Sequence, residues 1–277
     1  STPKPSSAAS DVYKRQGNGL ANLHNAKKAR TPVVNVIGDH ATFHRKYDAP
    51  LSSDVAGIAA PVSGWLKISE SADDVARDGA EAVQAAMAPP GQVASLILPA
   101  DTAWNRTEAS ARPLPRVEVA VVDAAGVEAA AQALHSGKST VLLMNGILTE
   151  SRLALANRIA QKTGARIISD TFISRMRRGA GVAEIQRLPY FGEQATEVLQ
   201  GVEHLILINS QPPITFFAYP DKPNWLTPDG CEIHTLVERD GDVDGALDAL
   251  CQAVGASALQ PILVVPMRPD APKGELN

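Results

Sequence analysis

Cysteine and aromatic residues are scarce in this 277-residue chain. There are two cysteines, Cys231 and Cys251, too few and too far apart for a disulfide framework or a cysteine-rich zinc site. They are expected to be core thiols in a reducing compartment. Aromatics make up 4% of residues, as in α/β layers rich in Ala and Val. No apolar run approaches the ~20 residues of a membrane span. The N-terminal stretch has no apolar core of the kind a secretory signal needs, so no such signal is expected. The net charge is −4 and the pI about 5.9, so no basic field favours nucleic acid or an anionic membrane. There is no G-x-S-x-G, no Walker A motif and no Cys/His catalytic pattern.

What is present suits two ordinary domains. Hydrophobic residues are 44% and charged residues 20%, a globular balance. Residues 1–16 are Ser/Pro-rich and then basic, without apolar period, and no structure is expected there. They also lack an initiator methionine, and translated adapter sequence is the expectation. From Gly17 the pattern becomes regular. Leu20, Leu23, Ala26 and Ala29 line one face of a helix over Asn18–Ala29, which Pro32 stops. Val33–Ile37 reads as a buried strand that breaks at Gly38 into a turn holding Asp39, His40, His44 and Arg45. Polar groups at a strand's carboxyl end are how open α/β sheets build binding crevices.

Further on, Asp54–Ala60 predicts a short helix and Trp65–Ser69 a strand. Ser71–Met87 predicts a helix capped by Ser71, with Val75, Gly79, Ala82, Val83, Ala86 and Met87 inward. Val93–Leu98 is the next strand, and Thr102–Arg116 reads as a linker. A second alternating region follows. It has helices over Asp123–His135, Glu150–Lys162, Gly192–Leu199 and Val243–Val254. Its strands are Thr140–Met144, Arg166–Ser169, Leu205–Ile208 and Cys231–Val237. This alternation predicts a doubly wound parallel sheet. Two long loops, Phe172–Phe191 and Gln211–Gly230, are expected to be functional or interfacial. After Gly255 a Pro-rich extended tail is expected.

Several motifs have plainer readings. His40 and His44 could share a metal only on a helix, and Gly38 and Pro50 favour a loop, so no metal ligands are assigned. The Asp240–Gly245 run opens like a calcium loop, but its twelfth position is Cys251, and Asp242 is expected to cap the last helix. Asn145-Gly146 has too few glycines for a dinucleotide fingerprint. Arg175, Arg177 and Arg178 form a basic cluster that could hold a phosphate, with a solvated or subunit-facing loop as the plainer reading.

Taken together, certain residues resemble the thiamine-diphosphate-dependent 2-oxo acid enzymes of the acetolactate synthase and benzoylformate decarboxylase group. They are Gly17-Asn18, Leu23-His24-Asn25-Ala26, Pro32, the apolar strand and Gly38. Pro61-Val62, Trp65 and Pro99-Ala100-Asp101 follow in family order, then Gly181-Val182 and Leu188-Pro189-Tyr190-Phe191-Gly192. Such enzymes have pyrimidine-binding, central and pyrophosphate-binding domains. The resemblance implies an α/β fold with a truncated pyrimidine-binding domain and a doubly wound, Rossmann-like central domain. The implied divisions are a leader over 1–16, the pyrimidine-binding part over 17–107, a linker over 108–116, the central domain over 117–255 and a second linker over 256–277. An internal fragment, inactive alone, is the expectation. An exposed apolar flank is expected on the first domain, where family strands would pack.

The resemblance further implies thiamine diphosphate and Mg²⁺ as cofactors, a small 2-oxo acid substrate, and a homodimer or homotetramer in the cytoplasm. Asn18, Gly38, Asp39 and His40 would face the cofactor, and His40 could move a proton near neutral pH. No catalytic residue is assigned beyond that, because the family Glu has no counterpart after Gly17. The family's Gly-Asp-Gly…Asn metal motif is absent, Asp39 stands where Gln is usual, and Tyr13-Lys14-Arg15 replaces Gly-Pro-Gly. Asn209-Ser210-Gln211-Pro212-Pro213 occupies the place of the flavin signature, so FAD is not expected. Two other classes are a stand-alone nucleotide-binding module over 117–255 and a structural or regulatory subunit.

Overall fold

The computed structural model describes residues 12–266 and residue 274. The chain forms two compact units that divide between Val119 and Ala120. Among the described residues, no helix is long and apolar enough to cross a membrane.

The first unit opens on α1, Val12–Ala29. The helix starts earlier than the apolar spacing predicts, so 12–16 are helical where no structure was expected. Those five residues contain no Gly or Pro to stop a helix running back from Asn18. The rest of the expected leader, 1–11, lies outside the described residues. Lys27 and Lys28 occupy the last turn, where cations suit the dipole. Arg30 then takes a left-handed conformation and the chain reverses into β1, Val33–Asp39. Next come α2 (Val55–Ala59), β2 (Trp65–Ile68), α3 (Val75–Met87), β3 (Val93–Pro99) and α4 (Ala100–Trp104). The three strands form a parallel sheet in the order β1-β3-β2. Ile37 and Ile97 pack with Val55 and Ala59 on one face. Ala94 and Leu96 pack with Ala82 and Ala86 of α3 on the other.

Three details differ from the sequence expectations. First, α3 starts at Val75, because Ser71 donates to the Asp74 carboxylate instead of capping the helix. Its buried face is Asp78, Ala82 and Ala86, while Val83 and Met87 are half exposed. The segment 111–117 lies alongside Val83 and Met87, and Gln84 Nε2 donates to the Pro115 carbonyl at 2.8 Å. Second, part of the expected linker is α4, whose Thr102 is buried and donates to the Pro99 carbonyl. Third, β1 is an edge strand rather than a buried one. Val34 and Val36 pair in register with Ala94 and Leu96 yet stay 40% and 52% exposed. That is the apolar flank expected of this domain.

The second unit carries α5 (Ala124–His135), β4 (Thr140–Met144), β5 (Ile147–Leu148), α6 (Glu150–Thr163) and β6 (Arg166–Ser169). It continues with β7 (Arg175–Met176), β8 (Gln186–Arg187), α7 (Gly192–Leu199), β9 (His204–Ile208), β10 (Glu232–Val237) and α8 (Val243–Ala253). Asp123 and Asp242 cap α5 and α8, and Gly164 ends α6 in the left-handed conformation. The parallel sheet runs β10-β9-β4-β6-β8, which is the 3-2-1-4-5 order of a doubly wound fold. Leu142, Met144, Ile206 and Ile208 face α5, α6 and α8, whereas Val141, Leu143, Leu205 and Leu207 face α7. Helices on both faces explain why these strands read as continuous apolar runs. The short strands β5, β7 and β8 lie in segments that carry no strand periodicity. Part of the expected tail is packed: Ala256 is buried, and Val264 exchanges backbone hydrogen bonds with Gly181 and Val182. Cys251 is a buried core thiol, and Cys231 is a half-buried one; neither is in a disulfide.

Candidate functional site

In the first unit the carboxyl ends of β1 and β3 lie side by side, with Gly38 opposite Leu98 and Asp39 opposite Pro99. The chain leaves β1 through Asp39, His40 and the buried Ala41. Asp39 is held by its own turn. Its Oδ1 accepts from the His40 backbone N at 2.7 Å, and its Oδ2 accepts from Arg45 Nε at 3.0 Å and Nη2 at 2.6 Å. Asp101 fastens the other side of the turn. It accepts from the Thr42 backbone N at 2.9 Å and from the Thr42 hydroxyl. The Thr42 hydroxyl is the main cause that holds the Asp101 carboxyl below the usual carboxylate range. The two strand ends are therefore stitched together by the Thr42–Asp101 contact.

His40 is half-buried in this turn, and its ring centroid lies 5.8 Å from that of exposed His44. The two do not share a helix face, in keeping with the loop reading. Asn18 is exposed on α1. Gly38 and Asp39 still belong to β1, held there by pairing with Leu98 and Pro99, so the chain leaves the strand at His40 rather than at Gly38 as the sequence suggests. Asn18 stands on a separate element, α1. The pairings of Arg45 with Asp39 and of Thr42 with Asp101 were not foreseen. A signal existed for the second, since Pro99-Ala100-Asp101 ends a strand in line with Gly38.

The second unit has its own carboxyl-end crevice, where the strand order reverses between β4 and β9. Asn145-Gly146 is more than a plain turn. Asn145 Nδ2 donates to Asp170 Oδ2 at 2.8 Å, and Asn209 Nδ2 donates to the Asn145 carbonyl at 3.4 Å. Burial pushes the Asp170 carboxyl up, against the hydrogen bonds of the Thr171 and Phe172 backbones and of Asn145. The two long loops also meet. Phe172, Tyr190, Phe191, Phe216, Phe217 and Tyr219, six of the chain's twelve aromatics, form an exposed cluster with neighbouring ring centroids 4.7–6.4 Å apart. It borders a groove of about 670 Å³ where Lys222 pairs with Glu193 at 2.7 Å. By contrast, the basic cluster is spread out: Arg175 lies on β7 and Arg177 pairs loosely with Glu150.

A third arrangement went unseen in the sequence. His204, Glu232 and His234 converge at the amino ends of β9 and β10. Only the Glu-x-His spacing on a strand, which puts two ligands on one face, could have hinted at it.

No family profile matches the chain. Among curated proteins, it is 46% identical over 263 residues to the inferred acetolactate synthase large subunit IlvX of Mycobacterium tuberculosis. That alignment covers 94% of this chain and 50% of IlvX. Among solved structures, it resembles an inferred thiamin diphosphate-dependent enzyme from Mycobacterium smegmatis, with a TM-score of 0.65 and 20% identity. The likeness covers 89% of this chain and 51% of the other. The sequence likeness is thus to one half of an acetolactate synthase large subunit. A 4-hydroxybenzoylformate decarboxylase from Rhodococcus jostii, also thiamine-diphosphate-dependent, gives a TM-score of 0.67 at 18% identity over 95% of this chain and 53% of its own. At such identities these two matches speak for the α/β fold. The chain spans about half the length of the relatives it matches.

Proposed function

We propose that this chain supplies the pyrimidine-facing half of a thiamine-diphosphate-dependent enzyme that decarboxylates or carboligates a small 2-oxo acid. The observation that carries this is the braced strand end Gly38-Asp39-His40, at the carboxyl end of β1, in a chain 46% identical to IlvX over 263 residues. Gly38 presents backbone without a side chain, and His40 offers an imidazole able to move a proton. Asp39 is spoken for by Arg45, so its carboxylate is a brace for the turn rather than a ligand. The residues fit the pyrimidine side of the cofactor only. No Gly-Asp-Gly…Asn sequence occurs among the 277 residues, so no ligands for Mg²⁺ and the diphosphate are assigned here. The proposal includes a homodimer or homotetramer and a cytoplasmic setting, the latter supported by two free thiols.

The test compares this chain with the protein read from the uninterrupted gene. Both are assayed with pyruvate and benzoylformate at saturating thiamine diphosphate and Mg²⁺. Turnover is expected from the longer protein and none from the 277 residues. Turnover by the shorter chain, or failure of the longer one with every 2-oxo acid offered, overturns the reading. The switch point at Asn145 and Asn209 favours a second reading, a nucleotide-binding module. Calorimetry with NAD, FAD and ADP separates the two, tight binding by the chain favouring the second.

A further inference from the structure

We propose that His204, Glu232 and His234 form a binding site for a late first-row divalent cation of the zinc class. The three side chains come from two neighbouring parallel strands. Glu232 pairs in register with His204, and His234 stands two residues on, so all three project from one face of the sheet. His204 Nδ1 lies 3.1 Å from His234 Nε2, and Glu232 Oε2 lies 3.8 Å and 4.0 Å from those atoms. These distances fix a triangle whose circumscribed circle has a radius of about 2.1 Å. A cation at its centre would be at the ordinary zinc–imidazole and zinc–carboxylate distance, about 2.0–2.2 Å. Two imidazoles and a carboxylate are a donor set suited to zinc and its neighbours, and a poor one for Mg²⁺ or Ca²⁺.

Burial is graded across the site. His204 is 5% exposed, whereas the Glu232 side chain is 64% exposed. Water can therefore complete the coordination from the Glu232 side. In the metal-free chain the two facing ring nitrogens share one proton. For a cation to enter between them, the donating imidazole moves that proton to its other ring nitrogen, leaving both facing nitrogens as lone-pair ligands. The site clips the edge strand β10 to β9 at their amino ends, where the backbone is already tied by Glu232 N to the Glu203 carbonyl.

The test uses the full 277-residue chain, stripped with chelator and titrated with Co²⁺, Zn²⁺ and Mg²⁺. One equivalent of Co²⁺ is expected, with visible absorption, displaced by Zn²⁺ and indifferent to Mg²⁺. His234→Gln should weaken binding at least tenfold and Glu232→Gln severalfold. His24→Gln and His135→Gln, both at exposed positions, should leave it unchanged. Glu232→Gln is exposed enough to keep the fold, so its melting temperature in chelator should match that of the unsubstituted chain. Failure of the unsubstituted chain to take up Co²⁺ or Zn²⁺ overturns the proposal. So does uptake that survives both His234→Gln and Glu232→Gln, because the His–His contact is then a hydrogen bond only.

Discussion

Asp78 is the most exacting place to test how the first unit holds together. It lies in the first turn of α3 and is 1% exposed, yet charged. Its Oδ1 meets Lys67 Nζ at 2.9 Å and Arg77 Nη2 at 3.1 Å, and its Oδ2 accepts from the buried Ser69 hydroxyl at 2.9 Å. Replacing it by Ala removes every one of these acceptors. Breaking a buried pair typically costs about 3–5 kcal/mol. Here the stranded cations are not fully buried: Lys67 is 34% exposed and keeps Glu81 at 2.6 Å, and Arg77 is 58% exposed. Both can recover water. The charge penalty shrinks accordingly, and the orphaned Ser69 hydroxyl adds about 1 kcal/mol. We expect Asp78→Ala to cost about 2–3 kcal/mol and Asp78→Asn about 1–2 kcal/mol. Burial pushes the carboxyl up, but the hydrogen bonds from Lys67, Ser69 and Arg77 outweigh it and hold it below the usual range. A lowered folded-state value means the contribution is complete above the unfolded value near ~3.9 and is lost as pH falls through the folded value. Urea unfolding is followed by Trp65 fluorescence, with Trp104 and Trp225 replaced by Phe. The stability gap between the chain with Asp78 intact and its Asp78→Asn variant should be full at pH 7 and narrow as the pH drops below 4. A gap that is absent at pH 7, or that widens in acid, refutes the reasoning.

Two other substitutions probe the switch point of the second unit. Gly146 has φ +83°, and an added Cβ would lie 2.2 Å from Asn209 Nδ2. Gly146→Ala should cost about 1.5–3 kcal/mol, the left-handed backbone and the displaced Asn209 both contributing, and thermal unfolding measures it. A cost below about 0.5 kcal/mol would mean that Asn209 moves freely. Asp170 is the opposite case to Asp78, since burial raises its folded-state value. Its stabilising contribution is present in acid and is lost as pH rises through that raised value, so at pH 8 the buried charge is a burden. Asp170→Asn should be neutral or stabilising by up to about 1 kcal/mol at pH 8, with the advantage gone near pH 3. Marked destabilisation at pH 8 would show that the charge itself is required.

The central strands were legible because both their faces are covered. Thr140–Met144 and His204–Ile208 have no exposed side and read as unbroken apolar runs. Caps were legible for a local reason: Asp123 and Asp242 bond amides two or three residues on. Val33–Ile37 misled because an apolar run reports composition, not neighbours. The same Val-Val-x-Val would suit a central strand, and only pairing reveals that β1 has a neighbour on one side alone. The inward face of α3 was misjudged for a related reason. Periodicity admits Val83 and Met87, but an interior aspartate paired with Lys67 from β2 is a long-range fact. The same limit hid the pairing of Thr42 with Asp101, 59 residues apart, and the histidine pair, 30 apart.

The stitched turn at Gly38 bears on how the departure from the family pattern should be understood. A Gln at position 39 could offer its amide outward, and Asp39 does not. Its two oxygens accept from His40 N and from Arg45, contacts within six residues of sequence. The turn is therefore braced by its own side chains. What it presents beyond itself is main chain at Gly38 and the ring of His40. Arg45 is 38% exposed, so an exposed pair of this kind is worth at most about 1 kcal/mol, little for stability. Its value is geometric, since it fixes the path by which Thr42 reaches Asp101 across the strand ends. A crevice built on backbone braced in this way tolerates exchange of the brace more readily than exchange of the glycine. On the proposed reading, Gly38 is thus the position at which substitution should impair cofactor binding most.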